Sequence, residues 1–115
     1  MRTLLLILPL LFAAAAPALA EEFVAGTEDV PLMPGLKAVP NSSIVFDKPE
    51  GRIVEARATG ATTRAKVEEF YAASLPALGW KPVGRDRWQR DAERLKLDFT
   101  VASRKLAVGF TLSPQ

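Results

Sequence analysis

The stretch Leu95-Lys96-Leu97-Asp98-Phe99-Thr100-Val101-Ala102-Ser103-Arg104-Lys105-Leu106-Ala107-Val108-Gly109-Phe110-Thr111-Leu112 decides the fold of this chain. Leu95, Leu97, Phe99 and Val101 alternate with polar residues, and Leu106, Val108, Phe110 and Leu112 repeat the alternation after a polar break at Ala102 to Lys105. Side chains along a strand point to opposite faces in turn, so a period of two gathers these leucines, valines and phenylalanines on one side. The stretch reads as two long antiparallel strands joined by a turn, with Gly109 on the outer face and an apolar inner face that needs a cover.

Upstream, Arg87-Trp88-Gln89-Arg90 reads as a short strand, and Asp91 and Ala92 begin the turn after it. The cover is a helix. Thr62 or Thr63 caps it, and Val67, Phe70, Tyr71, Leu75 and Leu78 fall on one stripe at helical spacing. Pro76 has no N–H to bond back to residue 72, which stops the regular helix near Leu75; Gly79 is the expected left-handed stop, with Trp80 folding back onto the last turn. Earlier still, Ile44-Val45-Phe46 and residues 52–59 flank the turn signal Lys48-Pro49-Glu50-Gly51, which predicts a hairpin. The predicted architecture is α+β: a two-layer domain with an antiparallel sheet of about five strands and one helix packed on it, in the order ββαβββ.

Residues 1–20 carry the three parts of an export signal: Arg2, an apolar run from Leu4 to Ala16, and small residues at Ala18 and Ala20. Cleavage is expected between Ala20 and Glu21. An uncut membrane anchor needs about 20 apolar residues in an unbroken span, whereas Pro9 and Pro17 interrupt a shorter run. No cysteine is present to take a lipid. A periplasmic location with no transmembrane anchor after cleavage follows as an expectation. Residues 21–42, with Pro31, Pro34 and Pro40, read as an extended proline-containing arm, and residues 43–115 as the domain itself.

The chain has no histidine and no cysteine. That combination removes histidine-dependent triads, zinc sites built on Cys or His, and disulfides. Neighbouring carboxylates such as Glu68 and Glu69 point about 100° apart on a helix and cannot flank one bond. No catalytic residue, metal ligand or cofactor-binding residue is expected. Charge is unevenly spread: residues 21–80 hold 6 Lys or Arg against 9 Asp or Glu, while residues 81–115 hold 8 against 4.

Two features carry partner readings. The basic cluster Arg85, Arg87, Arg90, Arg94 and Lys96 is either a solvated outer face with edge charges that discourage aggregation, or a contact surface for an anionic envelope component. Nucleic acid is not an expected partner in that compartment. The run Val30-Pro31-Leu32-Met33-Pro34-Gly35-Leu36 is either a lid over apolar surface or a preordered segment that docks on an envelope protein through Leu32, Met33 and Leu36. Trp80 reads as core, and Trp88 fits either face.

The run Asp29-Val30-Pro31-Leu32-Met33-Pro34-Gly35-Leu36, with Gly51-Arg52-Ile53, Phe70-Tyr71, Leu75-Pro76 and Leu78-Gly79-Trp80, resembles a group of small exported alphaproteobacterial proteins of unknown function. The resemblance implies a Gram-negative periplasm and brings no catalytic residues. The expected role is a non-enzymatic periplasmic accessory or binding domain, using the apolar arm or a basic face; of the basic residues, Arg87, Arg90 and Arg94 are the expected contacts. The alternative is a histidine-independent envelope enzyme using carboxylates or lysine. A cleft holding two carboxyl groups from separate strands would favour the enzyme.

Overall fold

A computed structural model describes residues 22–115. The expected signal segment and cleavage site lie outside the described residues. The chain forms strands β1 (Lys37–Ala38), β2 (Ile44–Lys48) and β3 (Gly51–Gly60), helix α1 (Arg64–Ser74), and strands β4 (Lys81–Gly84), β5 (Arg87–Arg90), β6 (Glu93–Ala102) and β7 (Lys105–Pro114). All pair in one antiparallel sheet of order β1-β3-β7-β6-β5-β4, with β2 also paired to β3. The α+β two-layer class holds, with seven strands where about five were expected. The additional two are short edge pieces. β1 pairs only Lys37 with Thr59 and Ala38 with Ala58, and β4 contains Pro82 and Gly84. Proline lacks a ladder donor, and an edge strand tolerates it because one side of its backbone has no partner.

The alternation at residues 95–112 becomes the β6–β7 pair, in register from Glu93↔Pro114 to Ala102↔Lys105. Leu95, Leu97, Leu106, Val108, Phe110 and Leu112 are buried together with Val54, Ala56 and Ala58 of β3. Val101 stands 79% exposed despite its inward parity: β5 pairs β6 only from Glu93 to Lys96, so at Val101 the strand is an edge with β7 alone beside it. Trp88 lies opposite Leu95 on the inner face, 8% exposed.

Helix α1 starts where the Thr63 hydroxyl accepts a hydrogen bond from the Lys66 amide at 3.3 Å. It buries Val67, Tyr71 and Leu75, a spacing of one turn each. Phe70 is only partly covered, packing edge-on to Tyr71 at 4.9 Å between ring centroids. Leu78, expected on the same stripe, is 39% exposed, because Pro76 begins a tighter 3₁₀ turn (Pro76–Leu78) that rotates it out of line. Gly79 at φ 93° ends that turn, and the Trp80 amide bonds back to the Leu75 carbonyl at 3.2 Å, seating the indole in the core at 1% exposure.

One helix does not cover seven strands. The remainder of the inner face is covered by residues 22–36, which fold through a Phe23↔Pro31 bridge and an amide bond from Val24 to the Val30 carbonyl. Val24, Val30, Leu32 and Leu36 are buried, and Met33 packs against them. The Tyr71 hydroxyl fastens this segment, donating to the Pro31 carbonyl at 2.8 Å and accepting from the Met33 amide at 3.3 Å. Gly60 makes the crossing possible, since a β-carbon there would lie 2.3 Å from the Gly35 carbonyl oxygen. The segment is therefore a folded lid rather than a free arm. Leu32 and Leu36, expected as docking contacts, are buried in the core, and Met33 is partly buried beside them.

Candidate functional site

The strand registers place every charged side chain of the sheet on one face or the other. Trp88, Leu95, Leu112 and Val54 lie in one inward row, so Arg87, Lys96, Thr111 and Glu55 form the outward row beside it. Further outward rows hold Lys81, Gln89 and Arg94, then Asp98, Gly109 and Arg57. Lys37 opposite Thr59, Lys48 opposite Gly51 and Lys105 opposite Ala102 complete the face. Among the described residues, no helix or lid covers this side. It carries eight basic residues (Lys37, Lys48, Arg57, Lys81, Arg87, Arg94, Lys96 and Lys105) against two acidic ones (Glu55 and Asp98), a net of +6.

The rest of the described chain has the opposite balance. It holds six basic residues against ten acidic, a net of −4. The near-neutral total is thus the small difference between a basic sheet face and an acidic remainder, in which the lid is acidic through Glu22, Glu28 and Asp29 and α1 is balanced, Arg64 and Lys66 against Glu68 and Glu69. Among the described residues, none of the eight outward cations makes an ion pair, whereas Arg64, Arg85 and Arg90 all do.

Of the basic residues expected to make partner contacts, Arg87 and Arg94 sit on the outward face and Arg90 does not. Arg90 opposes Glu93 in the inward row, where its guanidinium pairs with Asp29 of the lid and lies 4.3 Å from the Trp80 ring centroid. The Asp29 carboxylate raises the Arg90 pKa further above its ordinary value. Arg90 is a clasp between lid and core, which uses up the charge that a partner would need. Arg85 is likewise engaged, donating to Glu68 at 3.2 and 3.4 Å. Arg57, Lys37 and Lys48 join the outward face from the first half of the chain and were not in the expected cluster.

Near the middle of the face, small side chains on β7 leave a shallow depression of about 400 Å³, lined among others by Ser42, Glu55, Arg57, Asp98 and Thr111. Gly109 forms part of its floor, and the Asp98 carboxylate folds over the space that a β-carbon would take, 2.6 Å from it.

A second cleft, about 330 Å³, opens on the other side between α1 and the β4–β5 hairpin. Tyr71, Trp88, Leu97, Pro76 and Pro82 line it, and Glu68 and Asp86 stand at its mouth. Here two carboxyl groups do meet across a cleft, one from a helix and one from a hairpin turn. Both are already bound to arginine. Arg64 donates to Asp86 at 2.7 Å and lies 3.6 Å from Glu68. The Arg85 guanidinium holds the Glu68 carboxyl below the usual carboxylate range. Burial raises that of Asp86, partly offset by its bond from Arg64. The two charges of each sign close into a network across the rim. Each carboxyl group is held by an arginine, and Glu68 beside Asp86 adds to the rise of the Asp86 carboxyl.

No protein-family model, no curated protein and no solved structure matches this chain.

Proposed function

We propose that this protein is a non-enzymatic binding domain of the bacterial cell envelope, delivered to the periplasm by a cleavable signal peptide, which holds an anionic envelope component against the outer face of its sheet. The observation that carries the reading is the segregation of charge: eight outward cations without ion pairs stand against two outward carboxylates, and the other ten described acidic groups lie off that face. A face that merely kept the protein soluble would serve as well with mixed signs. A surface of one sign attracts polyanions over about a Debye length and holds them by many weak contacts. The carboxyl groups of the second cleft, Glu68 and Asp86, are each engaged by arginine, which favours binding over the enzymatic alternative.

The test is retention of the protein beginning at Glu21 on phosphocellulose, with elution by salt. The triple substitution Arg87→Ser, Arg94→Ser and Lys96→Ser should elute at clearly lower salt and melt at nearly the same temperature, since exposed unpaired charges contribute little to stability. Arg85→Ser, which removes the same charge from the opposite layer, should elute close to the unsubstituted protein. Equal loss from Arg85→Ser and from a single outward substitution would mean that net charge alone acts. Mass spectrometry of the protein recovered from a periplasmic fraction checks the location, with a first residue of Glu21 expected.

A further inference from the structure

We propose that the anionic partner is a phospholipid bilayer, lying flat against the outer face with the side chains of Ile44 and Phe46 entering the headgroup layer. The inference rests on the reading of that face as an anion-binding surface and adds the chemistry of what it binds. β2 lies at the edge of the sheet and pairs on one side only, with β3. Ile44 opposes Glu55 and Phe46 opposes Ile53, which places both on the outward side, in the same plane as Arg57, Arg94 and Lys96. They are 45% and 52% exposed. Lys48 follows two residues later on the same side.

Isolated exposed apolar residues are ordinary, but an aromatic and a branched aliphatic side chain neighbouring one another on a cationic plane are not explained by solubility. A soluble polyanion would engage the cations and leave Ile44 and Phe46 in water. A bilayer with anionic lipids satisfies both parts. Its surface potential draws the lysines and arginines, and its interfacial region accepts the phenyl and butyl groups beside them. The acidic lid, with Glu22, Glu28 and Asp29, then faces away from the like charge of the membrane. Charge complementarity therefore sets the orientation, and the apolar edge selects lipid over other polyanions.

The experiment uses the full chain beginning at Glu21 with sedimented vesicles of phosphatidylglycerol and phosphatidylcholine, vesicles of phosphatidylcholine alone, and soluble polyphosphate. The protein should bind the mixed vesicles and not the neutral ones. The double substitution Ile44→Ser and Phe46→Ser should lower vesicle affinity at least about tenfold, as expected for losing partial burial of two large apolar groups. It should leave polyphosphate binding and the near-ultraviolet circular dichroism as they were. A separate Phe46→Trp variant should be quenched by lipids brominated along the acyl chain when vesicles are added. Vesicle binding that ignores the double substitution, or an unquenched Trp, overturns the inference. Binding to polyphosphate without binding to mixed vesicles overturns it while sparing the anion-binding reading. Binding to neither overturns both.

Discussion

Replacing Tyr71 with Phe keeps the buried ring and deletes the one hydroxyl that ties the lid to the helix. The Pro31 carbonyl then loses a donor at 2.8 Å and the Met33 amide loses an acceptor at 3.3 Å. A buried polar group left without a partner costs about 1–3 kcal/mol. Both groups are in half-buried residues that water reaches in part, so a total loss of about 2 kcal/mol at neutral pH is expected. The pH dependence is the sharper test. Burial raises the Tyr71 pKa far above its ordinary value, with the Met33 amide opposing weakly. The unfolded phenol ionises at about 10 while the folded one stays protonated. Above that pH the unfolded chain binds fewer protons than the native one, so this group's contribution is complete below about pH 10 and is lost as pH rises, at about 1.4 kcal/mol per unit. Lysines titrating in the same range act on both proteins and cancel in the difference. The stability gap between the two proteins should therefore be constant to about pH 10 and close within one to two units above it. Urea melts across that range measure the gap. Tyr71 is the only tyrosine, so phenolate absorbance reports its titration directly. A gap that does not change with pH, or a phenolate appearing at the ordinary pH in the folded protein, would refute the buried clasp.

Leu75→Ala should destabilise the domain by about 2–5 kcal/mol, because Leu75 is fully enclosed, and Phe70→Ala by less than the roughly 3–5 kcal/mol of a fully buried ring; thermal melts of the pair give the order. Gly60→Ala should cost about 1–3 kcal/mol through the clash with the Gly35 carbonyl, and amide exchange at Leu36 should rise with it, whereas an unchanged melt would mean the lid does not cross there.

The two-layer class was legible because the alternation at β6 and β7 and the helix stripe each point to a single face. What alternation does not show is which strands lie side by side. The outward row Arg87, Lys96, Thr111 and Glu55 joins residues from four strands. Its cationic character is invisible until registers are known, and Arg57, Lys37 and Lys48 were missed for that reason. The inward position of Arg90 was legible. Arg90 is three positions from Arg87, an odd spacing that puts the two on opposite faces of a strand. The lid went unresolved because its partners, the Tyr71 hydroxyl and Asp29–Arg90, are distant in sequence. β1 is too short to leave a periodic trace. The rim network of Arg64, Glu68, Arg85 and Asp86 likewise exists only once the β4–β5 turn is brought against α1.

The pairing of β3 with β7 has a consequence for how the chain is made. Val54 bonds across to Leu112, so the two central strands are nearly the first and the last long strands of the domain. Until β7 is available, β3 has no neighbour on its inner side, and the helix and lid have no finished surface to rest on. Non-local pairing of this kind is slow, since the entropy of closing the long loop is lost before the contacts that repay it form. Without β7 the β2–β3 hairpin and the β4–β5–β6 meander are left as two separate pieces with no strand between them. Such a chain stays open until β7 has been made and joins them.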